Sequence, residues 1–154
     1  MKIYIGADHR GYAVKKKIIA VVEKLGIPLE DVGSFDPEKN CDYPLIARKV
    51  AQAVAESRNR RGILVCMSGI GHAIAANKVR GAYAALCYNV EAAELSRRHN
   101  NANILVLGSK FIVPKEIPKI VQRWLNTPFE GGRHQNRVQK IANYEKENSC
   151  GGSK

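Results

Sequence analysis

Five short apolar runs, each followed by a segment with helical patterning, recur along the chain, and this alternation decides most of what it can fold into. Lys2–Gly6, Ile27–Gly33, Gly62–Cys66, Ala82–Cys87 and Asn103–Gly108 read as strands. Between them, apolar residues repeat at three- and four-residue spacing, the mark of a helix with one buried face. The first helix spans about 11–25 and aligns Val14, Ile18, Val21, Val22 and Leu25. Pro44 opens a second, to about Ser57, with Asp42 or Tyr43 near its cap. An Ala-rich helix follows Cys66 to about Lys78, and Asn89 can cap the next, to about His99. A helix over 114–126 buries Ile117, Ile120, Val121, Trp124 and Leu125. Strands joined through helices run parallel. The expected fold class is therefore α/β, a three-layer α/β/α sandwich with a five-stranded parallel Rossmann-like sheet. One domain is expected over 1–148, with 149–154 a disordered tail. The last helix, about His134 to Glu147 with Val138 and Ile141, follows Gly131-Gly132 and has no strand partner, so a second subunit is the expected place for it to pack.

The 154 residues suffice for one well-buried core. No apolar run approaches the ~18 residues of a membrane span, and Met1–Gly6 reads as a strand, not a signal peptide. A soluble cytoplasmic protein is expected, with no membrane partner. Cys41, Cys66, Cys87 and Cys150 have neither metal-knuckle nor redox-pair spacing, so no metal is expected, and Cys41, Cys87 and Cys150 are expected to be plain reduced thiols. The net charge of +11 admits nucleic acid, acidic lipid or a phosphorylated small molecule as partner. The basic residues are dispersed (Lys15 to Lys17, Arg58 to Arg61, Arg97-Arg98, Arg133, Arg137), and most read as solvated helix faces. Aromatic residues are not interleaved with them, so the stacking platform of a single-strand binder is missing and no nucleic-acid partner is expected.

In a parallel sheet, ligands bind beyond the carboxyl ends of the strands, where the winding reverses. Asp8 and His9 follow the first strand, Cys66-Met67-Ser68-Gly69-Ile70-Gly71-His72 the third, and Lys110 the fifth, with His99-Asn100 leading into the fifth. The 66–72 segment is too short of glycine for a dinucleotide fingerprint. Either it is a tight turn, or its amides at a helix start form an anion nest. Cys66 is either a small buried hydrophobe or a thiol held as thiolate by that helix start. His9 and His99 are capping groups or proton carriers. Arg133 and Arg137 share a helix face, either solvated or able to clamp a phosphate.

The ordered set Gly6-Ala7-Asp8-His9 with Gly11, Asp42-Tyr43-Pro44, Gly62 to Cys66 leading to Ser68-Gly69-Ile70-Gly71, Ile74-Ala75-Ala76-Asn77-Lys78, Ser96-Arg97 with His99-Asn100, Ala102-Asn103, and Gly131-Gly132-Arg133-His134 with Arg137-Val138 resembles the type B ribose-5-phosphate isomerases, whose family also holds galactose- and allose-6-phosphate isomerases. The resemblance covers nearly everything from Lys2 to Glu147. It implies that Cys66 moves a proton between C1 and C2 of a small phosphorylated sugar through a cis-enediolate. The amides of Met67, Ser68, Gly69, Ile70 and Gly71 would steady the developing charge. His99 would protonate the ring oxygen and Asp8 take the anomeric proton. His9, Arg133 and Arg137 would grip the phosphate, with Asn100, Tyr43 and Lys110 also at the substrate. No cofactor is implied, and the site would be shared between subunits of a homodimer or dimer of dimers.

Three positions depart from the family pattern. Met67 stands where glycine is usual, which should narrow the site. Lys110 replaces an arginine and loses its bidentate fork. His72 occupies the position of the glutamate base used by a cysteine-lacking branch. It could lie near Cys66 and hold it as thiolate, or be an exposed residue at a helix start. Allose- or galactose-6-phosphate isomerisation is the alternative within this chemistry. A non-catalytic sugar-phosphate or nucleic-acid binder is the alternative outside it.

Overall fold

The computed structural model describes the backbone of residues 1–150 and the side chains of residues 1–147. Strands β1 (Lys2–Ala7), β2 (Leu29–Asp31), β3 (Arg60–Cys66), β4 (Ala84–Leu86) and β5 (Ile104–Gly108) form one parallel sheet in the order β2-β1-β3-β5-β4. The helices are α1 (Tyr12–Lys24), α2 (Tyr43–Ala55), α3 (Ile70–Ala76), α4 (Val90–Asn100), α5 (Ile117–Asn126) and α6 (Arg133–Cys150). The β–α alternation thus yields the expected three layers. The edge strands β2 and β4 are three residues each, well short of the 27–33 and 82–87 read from sequence, because each has a strand partner on one side only.

Side chains of a strand point alternately to its two faces, and the central strands use both. Ile3, Ile5, Ile63, Val65, Leu105 and Leu107 pack toward α1, α4 and α5 around the fully buried Trp124. Tyr4, Leu64, Ile104 and Val106 face α2 and α3, meeting Ile46, Val50 and Val54. Each fully buried Ile or Leu adds about 1.5–3 kcal/mol of hydrophobic stabilisation. That makes the sheet a rigid floor for the loops at its two edges.

Four features depart from the sequence reading. Leu25 is exposed and Val21 only half-buried, since α1 ends there in a turn. Lys15 is not a solvated charge. It is 1% exposed and its Nζ bonds both carboxylate oxygens of Asp31 at 2.8 Å and the Ser34 carbonyl at 2.6 Å. Helix α6 runs on to Cys150, taking in two residues of the expected tail, while 151–154 lie outside the described residues. It also packs on its own chain: Glu145 accepts hydrogen bonds from the Gly81 amide and the Tyr83 hydroxyl just before β4. Val138 is buried and Ile141 exposed. Among the described residues, no helix is long and apolar enough to cross a membrane.

Candidate active site

β1 and β3 are neighbours, and the chain leaves them to opposite sides of the sheet, which opens a crevice at their carboxyl ends. Asp8 leaves β1 with its amide donating to the Val65 carbonyl at 3.2 Å. Its Oδ1 accepts the Gly11 amide at 2.7 Å, which starts a 3-10 turn over His9–Gly11. Gly11 must be glycine, because a Cβ there would lie 2.4 Å from the Val65 oxygen. Asp8 is buried, and among the described residues its Oδ2 makes no hydrogen bond. The Nδ1 of His9 is also buried and unpartnered among them.

Cys66 ends β3 and is 6% exposed. The chain turns back over it through Gly69 at φ +82, a conformation that disfavours any side chain, and a Cβ there would strike Leu86 at 2.4 Å. The turn aims the Gly69 amide at the Cys66 sulfur, 3.1 Å away, a donor that a thiolate holds more strongly than a thiol does. The Ile70 amide is taken by Ser68 Oγ at 3.3 Å. Two of the five expected oxyanion donors are therefore committed within the loop. The fifth strand's exit is laced to the same loop: Ser109 and Lys110 donate their amides to the carbonyls of Cys66 and Met67 at 2.8 and 3.0 Å. Lys110 thus stands beside the site. Met67, next to Cys66, is exposed, and its sulfur lies 2.9 Å from an Arg10 guanidinium nitrogen.

Tyr43, at the start of α2, lays its ring against Gly71, where a Cβ would be 2.6 Å from it, and meets the His72 ring edge-on at 5.8 Å. His72 is neither exposed nor a cationic partner for Cys66. It is fully buried, and neither ring nitrogen has a hydrogen bond of good geometry among the described residues. Burial pushes its pKa down to about 4, against weaker upward pulls from Asp8 and the Tyr43 backbone. At neutral pH it is uncharged and cannot hold a thiolate by charge.

A second cluster lies elsewhere. His99, at the carboxyl end of α4, stacks on His134 with ring centroids 4.2 Å apart and planes 7° from parallel. The Glu130 carboxylate reaches both rings, at 3.9 Å from His99 Nε2 and 3.7 Å from His134 Nε2. Arg98 grips Glu130 at 2.8 Å, and this bond above all holds the carboxyl below its usual range. Burial, then the charges of His99 and Arg133, lower the His134 pKa. Arg133 donates to His134 Nε2 at 3.4 Å, and Arg133 and Arg137 project, exposed, from the first turns of α6 near the exposed Asn100. Ligand-type atoms of His99, Glu130 and His134 lie within 4.8 Å of one another. Sequence reasoning missed Glu130, Arg98 and Arg10. The one available signal was Glu130 directly ahead of Gly131-Gly132-Arg133-His134.

Within one chain the two clusters do not meet. Cys66 pairs with Gly108 at the carboxyl edge of the sheet, whereas Gly62 pairs with Ile104 at the amino edge. α4 runs back against the strands, so His99 and Asn100 arrive at the amino edge, not beside the strand-end residues Asp8 and Cys66. The five residues of β5 alone separate the edges by roughly 13 Å.

A family model described as Ribose/Galactose Isomerase matches residues 3–141. The chain is 42% identical over 144 residues to the ribose-5-phosphate isomerase B of Escherichia coli, covering 94% of this chain and 96% of that one. It is 43% identical over 145 residues to a probable ribose-5-phosphate isomerase B of Mycoplasma pneumoniae, covering 94% and 95%. Among solved structures, the Clostridium thermocellum ribose-5-phosphate isomerase B superposes with a TM-score of 0.90 at 46% identity, over 96% of this chain and 99% of that one. The Mycoplasma genitalium enzyme, solved with bound ribulose 5-phosphate, gives 0.91 at 44% identity, over 95% and 97%.

Proposed function

The chain belongs to the ribose/galactose isomerase family, and from that premise we propose that it interconverts ribose 5-phosphate and ribulose 5-phosphate, with Cys66 as the base that carries the proton. The observation that bears most on this reading is the buried Cys66 sulfur facing the Gly69 amide, on the same sheet edge as the half-committed Asp8 carboxylate. Ribose 5-phosphate enters as a closed furanose. His99 gives a proton to the ring oxygen while Asp8 Oδ2 takes the proton of the anomeric hydroxyl, and the ring opens to the aldehyde. The Cys66 thiolate removes the C2 proton and the electron pair moves onto O1, forming the cis-enediolate. The resulting thiol returns the proton to C1, and transfer of the hydroxyl proton from O2 to O1 leaves the ketose. All electrons stay within the substrate, so the route calls on no metal or redox cofactor. The backbone amides of Met67, Ser68 and Gly71 serve the enediolate oxygens.

Cys66 and His99 can act on one sugar only if they come from different copies, because the sheet holds them apart within one chain. We therefore infer a homodimer, or a dimer of dimers, in which His99, Asn100, Arg133 and Arg137 of one copy complete the Cys66 half-site of the other. Tyr43, Leu45, Ile70 and Ile74 leave an exposed apolar face on the packed α2–α3 pair beside that half-site, which a second copy would cover. A cytoplasmic location fits the same reading. The retained Cys66 and the complete Gly131-Gly132-Arg133-His134 segment favour a pentose over a hexose phosphate. The test is a turnover comparison of ribose 5-phosphate with allose and galactose 6-phosphates under a metal chelator. At least a tenfold preference in kcat/KM for the pentose is expected, and turnover of a hexose phosphate alone would overturn the assignment.

A further inference from the structure

The amino edge of the sheet holds a cavity of about 470 Å³ between α2, α4 and α6, lined by Arg58, Arg60, Arg61 and Arg97 together with Tyr83 and Asn103. Its size is that of a small-ligand site. Arg60 is paired with Glu56. Arg61 and Arg97 each donate to a backbone carbonyl, of Leu125 at 2.8 Å and Ala102 at 2.6 Å. Both also stack on Trp124, at 5.4 and 6.0 Å, so two guanidinium ions share one ring. Among the described residues no carboxylate pairs with Arg58, Arg61 or Arg97. Arg97 is 6% exposed, and its Nε is buried with no hydrogen-bond partner among them. Burial, and then repulsion from Arg61, push its pKa down to about 10. The acid at the rim, Glu145, is engaged with the Gly81 amide and the Tyr83 hydroxyl.

A buried cation without a counter-ion is costly to maintain, and a concave wall of like charges concentrates potential. The guanidinium fork matches phosphate oxygens. We propose that this cavity binds a small phosphate-bearing polyanion, at a site separate from the one around Cys66. It lies at the opposite edge of the sheet from Cys66. Gln135 and Val138, which line it from α6, lie on the opposite face of that helix from Arg133 and Arg137. The proposal does not rest on the isomerase reading. Arg97 precedes His99 by two residues on α4, so an anion held here sits behind the helix end that carries the proposed acid.

Inorganic pyrophosphate is the probe, titrated calorimetrically into the full chain carrying Arg133→Gln and Arg137→Gln to remove the proposed substrate clamp. One pyrophosphate per chain is expected. Adding Arg58→Gln and Arg61→Gln should weaken binding at least tenfold, and Arg97→Lys, which keeps the charge but loses the fork, should weaken it measurably. Arg48→Gln with Lys49→Gln, an equal loss of charge earlier on α2, should leave it unchanged. Absence of binding, equal affinity after the Arg58 and Arg61 changes, or an equal loss with the Arg48 and Lys49 control would each overturn the proposal. Arg58 is exposed, so its replacement does not threaten folding. Ribose 5-phosphate turnover of the Arg58→Gln, Arg61→Gln chain with an intact clamp is measured in parallel, so failure of this site is read separately from failure of the isomerase.

Discussion

Replacing His72 by Gln should flatten the response of stability to acid. The imidazole is fully buried, and burial lowers its pKa from the ordinary 6.5 to about 4. The unfolded chain therefore binds a proton below pH 6.5 that the folded chain refuses until about pH 4. The sign follows from linkage: stability is complete above 6.5 and falls as pH drops toward 4. At roughly 1.4 kcal/mol per pH unit, the wild-type chain loses about 2.5 kcal/mol between pH 7.5 and pH 4.5 through this one group. Carboxylates titrate in the same range, so the informative quantity is the difference between wild type and His72→Gln. Urea unfolding at both pH values supplies it, and any constant cost of placing Gln in the site cancels. The variant should lose about 2.5 kcal/mol less than the wild type on acidification. Equal losses would refute the buried neutral imidazole. A greater loss in the variant would mean that His72 is protonated and paired, the thiolate-holding role that its burial argues against. In the same variant the acidic limb of the isomerase pH–rate profile should stay where it is.

Three further outcomes follow from the same geometry. Cys66→Ala should abolish turnover while calorimetric binding of ribose 5-phosphate survives, and substantial residual turnover would assign the proton transfer to another group. Gly69→Ala combines a left-handed backbone with a Cβ 2.4 Å from Leu86. It should cost at least ~1–2 kcal/mol, seen as a fall in Tm of several degrees, and should lower kcat because the amide on the Cys66 sulfur moves. Asp31→Asn leaves the Lys15 ammonium, 1% exposed, without its counter-ion. The cost by urea unfolding should be on the order of 2 kcal/mol, below the ~3–5 of a fully buried pair because Asp31 itself is partly exposed.

The layer order and the Cys66 loop were legible because they rest on local pattern. The run Gly62–Cys66 is apolar without alternation, as a strand buried on both faces must be, and Gly69 marks a turn that only glycine takes easily. What escaped depends on contacts distant in sequence. Lys15 sits in a run of three lysines that looks solvated, yet its Nζ is captured by Asp31 sixteen residues later. His72 could not be known as buried until Tyr43 was seen lying over Gly71. The order of residues sets His99 among the strand-end loops, whereas α4 returns it to the opposite edge of the sheet. That displacement is the ground for the proposed assembly, in which the base of one copy and the acid of another serve one substrate.

Subunit complementation tests that statement most directly. Cys66→Ala and His99→Gln chains, each inactive alone, are mixed in equal amounts, exchanged under mild denaturation and assayed with ribose 5-phosphate. Random exchange makes half of the dimers hybrid, each with one intact site of two. Activity should therefore return to roughly a quarter of the wild-type value. A mixture as inactive as its components, once hybrid dimers are verified by mass, would place Cys66 and His99 in the same chain's site and contradict the account.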